Sequence, residues 1–144
     1  MRKPPVSAFR LQAQGLDRVL GSIEADVMEH IWSGDGPVTI RAVHQALVRD
    51  RPLSFNTVVS VMNHLVDKGI LRRERARRGH VFGPILGREE FLATVSHEVA
   101  SGLIRDFGQP AVAQFVAALR EEDPVALTRL AKVLQREGRA DATG

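Results

Sequence analysis

The sequence predicts a mainly α-helical fold that contains one small β-hairpin. Apolar residues recur at helical spacing over most of the 144-residue chain. Two short runs with β-propensity flank an Arg-Arg-Gly turn at residues 77–79. Three short helical patterns precede this hairpin and purely helical patterns follow it. This order is expected of a winged helix-turn-helix domain with a helical region after it.

Composition and periodicity divide the chain into four predicted segments. Pro4, Pro5 and Gly15 interrupt any regular pattern near the start, so that part is predicted to be flexible. A second interruption, at Pro84 and Gly87, separates the hairpin from the later helices. The predicted segments are a flexible N-terminal extension at 1–19, a winged-helix domain at 20–87, a second helical domain at 88–137 and a disordered tail at 138–144.

The first two predicted helices each carry a cap residue and an apolar face. Ser22 is the predicted N-cap of the first helix, and Gly34 ends it. Thr39 is the predicted N-cap of the second helix, which cannot continue through Pro52. The residues predicted to face the core are Ile23, Val27 and Ile31 in the first helix and Ile40, Val43 and Leu47 in the second.

The third predicted helix has one apolar face and one small polar face. It begins after Ser54 as N-cap and ends at Gly69. Its apolar stripe follows the i, i+3, i+4, i+7 spacing and consists of Val58, Val61, Met62 and Leu65. At about 100° per residue, the opposite face carries Asn56, Ser60, Asn63 and Asp67, with Thr57 and His64 beside them. Two short strands, at 70–74 and 80–82, are predicted to follow.

Amphipathic helices account for the remaining sequence. Gly108 ends a long helical pattern, and Asp123 with Pro124 is predicted to cap and open the last helix. Helices of this size need a packing partner for their apolar faces, and a second copy of the chain is the simplest partner. The predicted dimerisation residues are Leu92, Val95, Val99, Leu103, Phe107, Val112, Phe115, Val116 and Leu119.

Positive charge is concentrated in the first part of the chain. Residues 1–87 carry 13 Lys and Arg against 8 Asp and Glu, whereas residues 88–144 carry 7 against 9. Five of the seven residues at 72–78 are arginines. A solvated charged face would explain such a cluster, but its place beside a slim polar helix favours nucleic acid.

A helix that reads base edges must enter the major groove with small polar or methyl-bearing residues outward. Basic residues on the hairpin would contact phosphates. For Val59 and Thr57 the alternative is that they only pack or form the first helical turn. The predicted DNA-binding residues are Thr39, Asn56, Thr57, Val59, Ser60, His64, Arg75, Arg77 and Arg78.

Several other functions find no support in the sequence. Cysteine is absent, which excludes disulfides, thiolate metal ligands and thiol catalysis and is compatible with a reducing cytoplasm. There is no run of about 18 apolar residues, so no membrane insertion is expected. No hydrolase or phosphate-loop motif is present, so an enzyme is not expected. We predict no cofactor and no metal, because metal-binding spacing is absent among His30, His44, His64, His80 and His97.

Four stretches together resemble the penicillinase-repressor family (BlaI/MecI/CopY). They are LGSIEADVMEHIW at 20–32, VTIRAVHQAL at 38–47, SFNTVVSVMNHLVDKGIL at 54–71 and GHVFGPILGREEF at 79–91. The resemblance covers roughly residues 20–120 and is strongest in the first half. It implies a homodimer that is held together by the helical C-terminal part and whose winged-helix domains bind double-stranded DNA operators with TACA/TGTA-like dyads and repress transcription. The predicted location is the cytoplasm.

This sequence differs from the usual family residues at several of the positions that contact bases. The family's base-contacting positions fall on Asn56, Thr57, Val59, Ser60 and His64. Thr57 keeps the family residue and Ser60 is close to the usual Thr. Asn56 replaces a usual Lys, Val59 a polar residue and His64 a usual Arg. The operator sequence is therefore expected to differ, with more of the binding carried by the wing arginines.

The resemblance also bears on how DNA would be released. In the antibiotic-responsive members, a membrane sensor protease pathway leads to cleavage of an Asn-Phe bond, and the matching pair here is Gln114-Phe115. Helical spacing offers a simpler interpretation of Phe115 as a core residue. Copper sensing through a C-terminal Cys motif is excluded, because the chain has no Cys. Two further hypotheses stay open at this point, a winged-helix module that binds an acidic protein and a repressor gated by a small ligand or haem.

Overall fold

The computed structural model describes residues 8–143, and contacts within them divide the chain after Glu98 into an amino-terminal and a carboxy-terminal unit. The predicted mainly α-helical fold with a hairpin is confirmed. The elements are α1 (Ser22–Ser33), α2 (Ile40–Leu47), α3 (Phe55–Asp67), β1 (Leu71–Arg75), β2 (His80–Pro84), α4 (Arg88–Phe107), α5 (Gln109–Glu122) and α6 (Pro124–Thr143).

Side-chain caps fix the starts of α2 and α3. Thr39 Oγ1 accepts a hydrogen bond from the Ala42 N–H at 3.1 Å, and Ser54 Oγ accepts one from the Thr57 N–H at 3.1 Å. Both predicted caps are therefore confirmed. The predicted cap of α1 is wrong, because Ser22 is its first helical residue and Gly21 is the N-cap.

The hairpin is an antiparallel pair joined by a tight turn. Arg73 stands opposite Phe82 and Arg75 opposite His80. At the turn, the Ala76 N–H donates to the Gly79 carbonyl at 2.9 Å. Gly79 has a φ of +82°, a conformation that residues with a Cβ rarely adopt. A bridge from Val38 to Phe82 adds one further extended residue beside β2.

The core of the amino-terminal unit lies between the three short helices and the hairpin. The predicted stripe of α3 is confirmed at Val58, Met62 and Leu65, all fully buried, while Val61 is only half-buried. The other residues of this core that are at most 3 % exposed are Leu20, Val27, Met28, Ile31, Val43, Ile70, Leu71, Phe82 and Phe91.

The first turns of α4 pack within the amino-terminal unit. Phe91 is buried against Trp32, with ring centroids 5.3 Å apart, and the Trp32 indole N–H donates to the Leu86 carbonyl at 3.0 Å. Val95 is buried one helical turn later. The unit therefore extends beyond residue 87, where the sequence predicts the domain boundary.

The described part of the predicted flexible extension, residues 8–19, is hydrogen-bonded rather than open. The Arg10 guanidinium donates to the Asp17 carbonyl at 3.0 Å and to the Leu20 carbonyl at 2.6 Å. A 3-10 turn at Gly15–Arg18 lies inside the loop that these bonds close. The Arg10 side chain thus satisfies two carbonyls at once, and the flexibility of residues 1–19 stays a prediction. Residues 1–7, which include Pro4 and Pro5, lie outside the described residues.

The carboxy-terminal unit contains the end of α4 and all of α5 and α6, and α5 packs on α6. The predicted cap of α6 is confirmed, because the Asp123 side chain accepts from the Ala126 N–H at 3.0 Å. The predicted disordered tail at 138–144 is instead helical through Thr143. A single glycine, Gly138, is not enough to end a helix whose neighbours are good helix formers. Residue 144 lies outside the described residues.

Candidate nucleic-acid interface

The outer side of α3 presents the predicted base-reading residues. Asn56, Ser60 and His64 are exposed and follow one another at i, i+4 and i+8 along the helix. Thr57 and Val59 are half-buried at its edges. Since the opposite side of α3 is in the core, all five side chains lie on the part of the helix that another molecule could reach.

Thr57 has an additional role at the start of α3. Its hydroxyl shares a 2.7 Å hydrogen bond with the Ser54 hydroxyl, whose oxygen also caps the helix. This pair fixes the rotamer of Thr57. The predicted contact residue Thr39 is exposed at the start of α2, where its hydroxyl also serves as a cap.

The turn between α2 and α3 is held by contacts that the sequence did not reveal. His44 Nε2 lies 2.8 Å from the Leu53 carbonyl oxygen, and its ring meets the Phe55 ring edge-on at 5.7 Å. Arg51 pairs with Asp26 and donates to the Ser22 hydroxyl at 3.2 Å, which joins this turn to α1. These contacts orient α3 relative to the two helices before it.

The five hairpin arginines fall into two groups. Arg72 pairs with Glu74 at 2.9 Å, and the Arg73 Nη1 donates to the Asn63 side-chain oxygen at 2.9 Å. The other three, Arg75, Arg77 and Arg78, are exposed, and their side chains make no hydrogen bond or ion pair with any residue between 8 and 143. These three are the hairpin arginines predicted to contact DNA, and we call them the wing arginines.

One carboxylate anchors the end of α3 on α1. Glu24 accepts from the Lys68 ammonium at 2.8 and 3.0 Å and from the Gly21 N–H at 3.0 Å. Burial alone would raise the pKa of Glu24, but the hydrogen bonds from Lys68 and Gly21, the Lys68 charge and the field of His64 together lower it below its ordinary value. Glu24, Ser60, Val61 and His64 line a shallow depression at this contact.

The predicted dimerisation residues differ widely in exposure. Val95 is buried in the amino-terminal unit, so it does not belong to an exposed face. Leu92, Val99, Val116 and Leu119 are half-buried. The most exposed members are Leu103 at 47 %, Phe107 at 63 %, Val112 at 43 % and Phe115 at 61 %.

An apolar groove lies between the end of α4 and the start of α5. It encloses about 170 Å³ and is lined by Ala100, Leu103, Ile104, Ala111, Val112 and Phe115. We call these residues with the adjoining Phe107 the apolar face of the carboxy-terminal unit. Gln114 and Phe115, the predicted cleavage pair, are both exposed in the middle of α5.

Two further observations concern the described residues. Nowhere between residues 8 and 143 do three or more His, Asp or Glu side chains come together in a way that could hold a metal ion. Among the described helices, none combines the length and apolar character needed to cross a membrane.

Comparison with known proteins identifies the family. The profile of the penicillinase repressor family matches residues 20–136, which is most of the chain. Two proteins named Transcriptional regulator BlaI, from the CDC 1551 / Oshkosh and H37Rv strains of Mycobacterium tuberculosis, are 36% identical over 112 residues. These matches cover 76% of this chain and 80% of each relative. The chain therefore belongs to the penicillinase repressor family, whose members are transcriptional regulators and not enzymes.

Proposed function

We propose that the protein is a dimeric, cytoplasmic repressor that recognises a dyad operator in double-stranded DNA. The observation that carries the proposal is the placement of three unpaired, exposed arginines on the hairpin that follows α3. Base-reading groups and phosphate-binding groups then occur on successive elements of one small unit. This combination is typical of winged-helix proteins that bind duplex DNA.

In this proposal α3 is the recognition helix and lies in the major groove. Asn56 offers an amide that can pair with a base edge, Ser60 offers a hydroxyl, and Val59 offers methyl groups to a thymine. The wing arginines bind phosphates and add affinity that does not depend on sequence. His64 lies further along α3, where it can reach a phosphate or a base.

The apolar face of the carboxy-terminal unit supports the proposed dimer. Leu103, Phe107 and Phe115 are each about half exposed or more. Contiguous exposed apolar side chains mark an interaction surface. A second copy brings the same face, as two-fold symmetric dimers require, and two copies match the two halves of a dyad operator.

We further propose that loss of the dimer releases the DNA. Cleavage of the Gln114–Phe115 bond, within a pathway started by a membrane sensor protease, would divide α5 and remove Phe115 from the apolar face. The support is the position of this pair beside the groove, where Gln114 and Phe115 also line a second apolar depression with Phe107. A half-site bound by one copy alone retains only part of the affinity.

The test of DNA recognition is a titration of the protein against its own upstream DNA and against a scrambled duplex of equal length, at two salt concentrations. We expect a preference for the upstream DNA that persists at the higher salt, because phosphate contacts alone carry no sequence information. Equal binding to both duplexes would contradict the proposal and favour a module that binds an acidic protein.

The variant Thr57→Ala tests whether α3 reads bases. We expect about a fivefold loss of affinity for the upstream DNA, equivalent to roughly 1 kcal/mol, with little change for the scrambled duplex. The Ser54 cap on the residue-57 N–H is retained in this variant, so α3 should stay folded. Thr128→Ala in α6 is the matched control, since Thr128 is likewise a helical threonine with an intrahelical hydrogen bond. Equal losses on both duplexes would show that α3 does not read sequence.

A further inference from the structure

We propose that Arg73 is an additional phosphate-binding residue and that Asn63 is the positioning residue that orients it. This inference rests on the proposed function, because it concerns the same DNA-binding surface. Neither residue belongs to the predicted contact set. The inference assigns them a joint role at the junction between the recognition helix and the hairpin.

The contact that carries the inference joins two elements. Arg73 Nη1, in β1, donates to Asn63 Oδ1, in α3, at 2.9 Å. Asn63 is half-buried while Arg73 remains exposed. The half-buried Asn63 amide thus holds one edge of the exposed Arg73 guanidinium. Because the guanidinium is planar, this contact fixes the directions of its other N–H donors.

The strand geometry places Arg73 on the same face of the hairpin as the core. Side chains of a strand alternate, so Leu71, Arg73 and Arg75 share one face of β1. Leu71 and the partner of Arg73, Phe82, are both buried in the core. Arg73 therefore lies on the core side of the hairpin, next to α3. Arg75 lies on the same face, two residues further along β1.

Arg72 shows the opposite arrangement. It lies on the other face of β1 with Glu74, which neutralises its charge at 2.9 Å. Its guanidinium also lies about 3.5 Å from where a Cβ on Gly83 would be, so it covers that glycine. Arg72 and Arg73 are adjacent in the sequence but have different surroundings, and of these two only Arg73 lies on the side of α3.

The chemistry of the Asn63 contact suits a phosphate ligand. An amide oxygen accepts a hydrogen bond without cancelling the charge of the guanidinium, unlike the carboxylate that pairs with Arg72. The contact uses one of the five N–H donors of the Arg73 guanidinium, and no other residue between 8 and 143 accepts a hydrogen bond from this side chain. The remaining planar donors can bind a phosphate in a bidentate way, at the strand of DNA that borders the groove occupied by α3.

The experiment measures affinity and its salt dependence for Arg73→Ala, Asn63→Ala, the double variant and Arg73→Lys, on upstream and scrambled duplexes. With Arg73→Ala, we expect the slope of log K against log salt to fall by about 0.9, the contribution of one phosphate. Arg73→Lys should retain the slope and lose part of the affinity. Arg72→Ala removes an equal charge from the opposite face and is the matched control, with a smaller slope change.

The variant Asn63→Ala tests the positioning of the Arg73 side chain without removing its charge. We expect about a threefold to tenfold weaker binding with little change in slope, and no further loss when Asn63→Ala is added to Arg73→Ala. The inference would be overturned by an unchanged slope in Arg73→Ala, by an equal slope change in Arg72→Ala, or by additive effects of the two substitutions. If the unaltered protein shows no preference for upstream DNA, the proposed repressor function fails, while the slope on the scrambled duplex still tests the Arg73 contact.

Discussion

At the scale of single residues, Glu24 illustrates how one side chain joins the start of α1 to the end of α3. Its carboxylate accepts from the Gly21 N–H at the start of α1 and from Lys68, directly after α3. The side chains of Glu24 and Lys68 are only 13% and 24% exposed, so the pair is screened less than one on the surface. The carboxylate that caps α1 therefore also holds the end of α3.

The first prediction concerns the replacement Glu24→Gln. We expect a loss of about 1–3 kcal/mol in the free energy of unfolding at pH 7, since hydrogen bonds to a charged group are removed or weakened. The folded-state pKa of Glu24 is lowered, so its stabilising effect is present above the unfolded-state pKa and disappears as pH falls through the folded-state pKa. Urea unfolding at pH 7 and at acidic pH measures this difference.

The control for that measurement is Glu98→Gln. The Glu98 side chain is exposed in α4 and makes no hydrogen bond or ion pair with the described residues, so its replacement should change the free energy of unfolding little at either pH. A Glu24→Gln loss of the same size at both pH values would contradict the role given to the charge, and would point instead to a packing effect.

At the scale of elements, the hairpin arginines differ in whether their side chains have a partner among the described residues. Arg72 and Arg73 are held near the base by Glu74 and Asn63. The wing arginines lie toward the turn, which Gly79 permits through its positive φ. The base of the hairpin is thus fixed to the unit while its tip carries charges that have no partner among the described residues.

The second prediction tests the tip with Arg77→Ala combined with Arg78→Ala. If both side chains bind phosphates, binding to upstream and scrambled duplexes should weaken by similar factors, and the salt slope should fall by about 1.8. Titrations at several salt concentrations measure both quantities. Arg105→Ala with Arg120→Ala removes the same charge from α4 and α5 and is the control. A loss confined to the upstream duplex would mean that the hairpin reads bases.

Elements with strong local signals could be predicted from the sequence. Ser54, Thr39 and Asp123 are caps whose partners lie three residues away, so the signal and the contact belong to one short segment. Gly79 likewise sits within the turn that needs it. The helical end of α6 was missed, because Gly138 resembles a stop signal but is tolerated inside a helix.

The parts of the candidate site that escaped prediction depend on distant partners. Arg73 and Asn63 are ten residues apart on different elements, and Glu24 and Lys68 are 44 apart. Phe91 was missed as a core residue, because its burial depends on Trp32 in another helix. Periodicity shows which face of a helix is apolar, but a pair of polar residues gives no comparable pattern for the contact between them.

At the scale of the whole molecule, the two units differ in how well they bury their apolar side chains. The amino-terminal unit has a core of residues that are almost completely inaccessible to solvent. In the carboxy-terminal unit, by contrast, no described apolar side chain is buried to that degree, and Phe107 and Phe115 are more than 60 % exposed. The first unit therefore has a core of its own, whereas the second leaves its apolar side chains at least partly exposed.

The third prediction is that Phe107→Glu weakens the dimer. A charge placed on the apolar face would have to be desolvated in the interface, which is unfavourable without a partner. Sedimentation velocity should show a shift from dimer to monomer, and affinity for the upstream dyad should fall at least tenfold, whereas the amino-terminal unit should stay folded. Lys132→Glu on α6 changes an exposed charge and should leave the dimer intact. A dimer unaffected by Phe107→Glu would place the interface elsewhere.

Trp32 gives the chain a built-in optical probe. It is the only tryptophan, and there is no tyrosine, so intrinsic fluorescence excited near 295 nm arises from one site. That indole packs on Phe91 and donates to the Leu86 carbonyl, both in the amino-terminal unit. Its emission therefore reports on the tertiary structure of that unit alone, while far-ultraviolet circular dichroism records the helices of both. Unfolding curves measured by the two signals would coincide only if the units melt together.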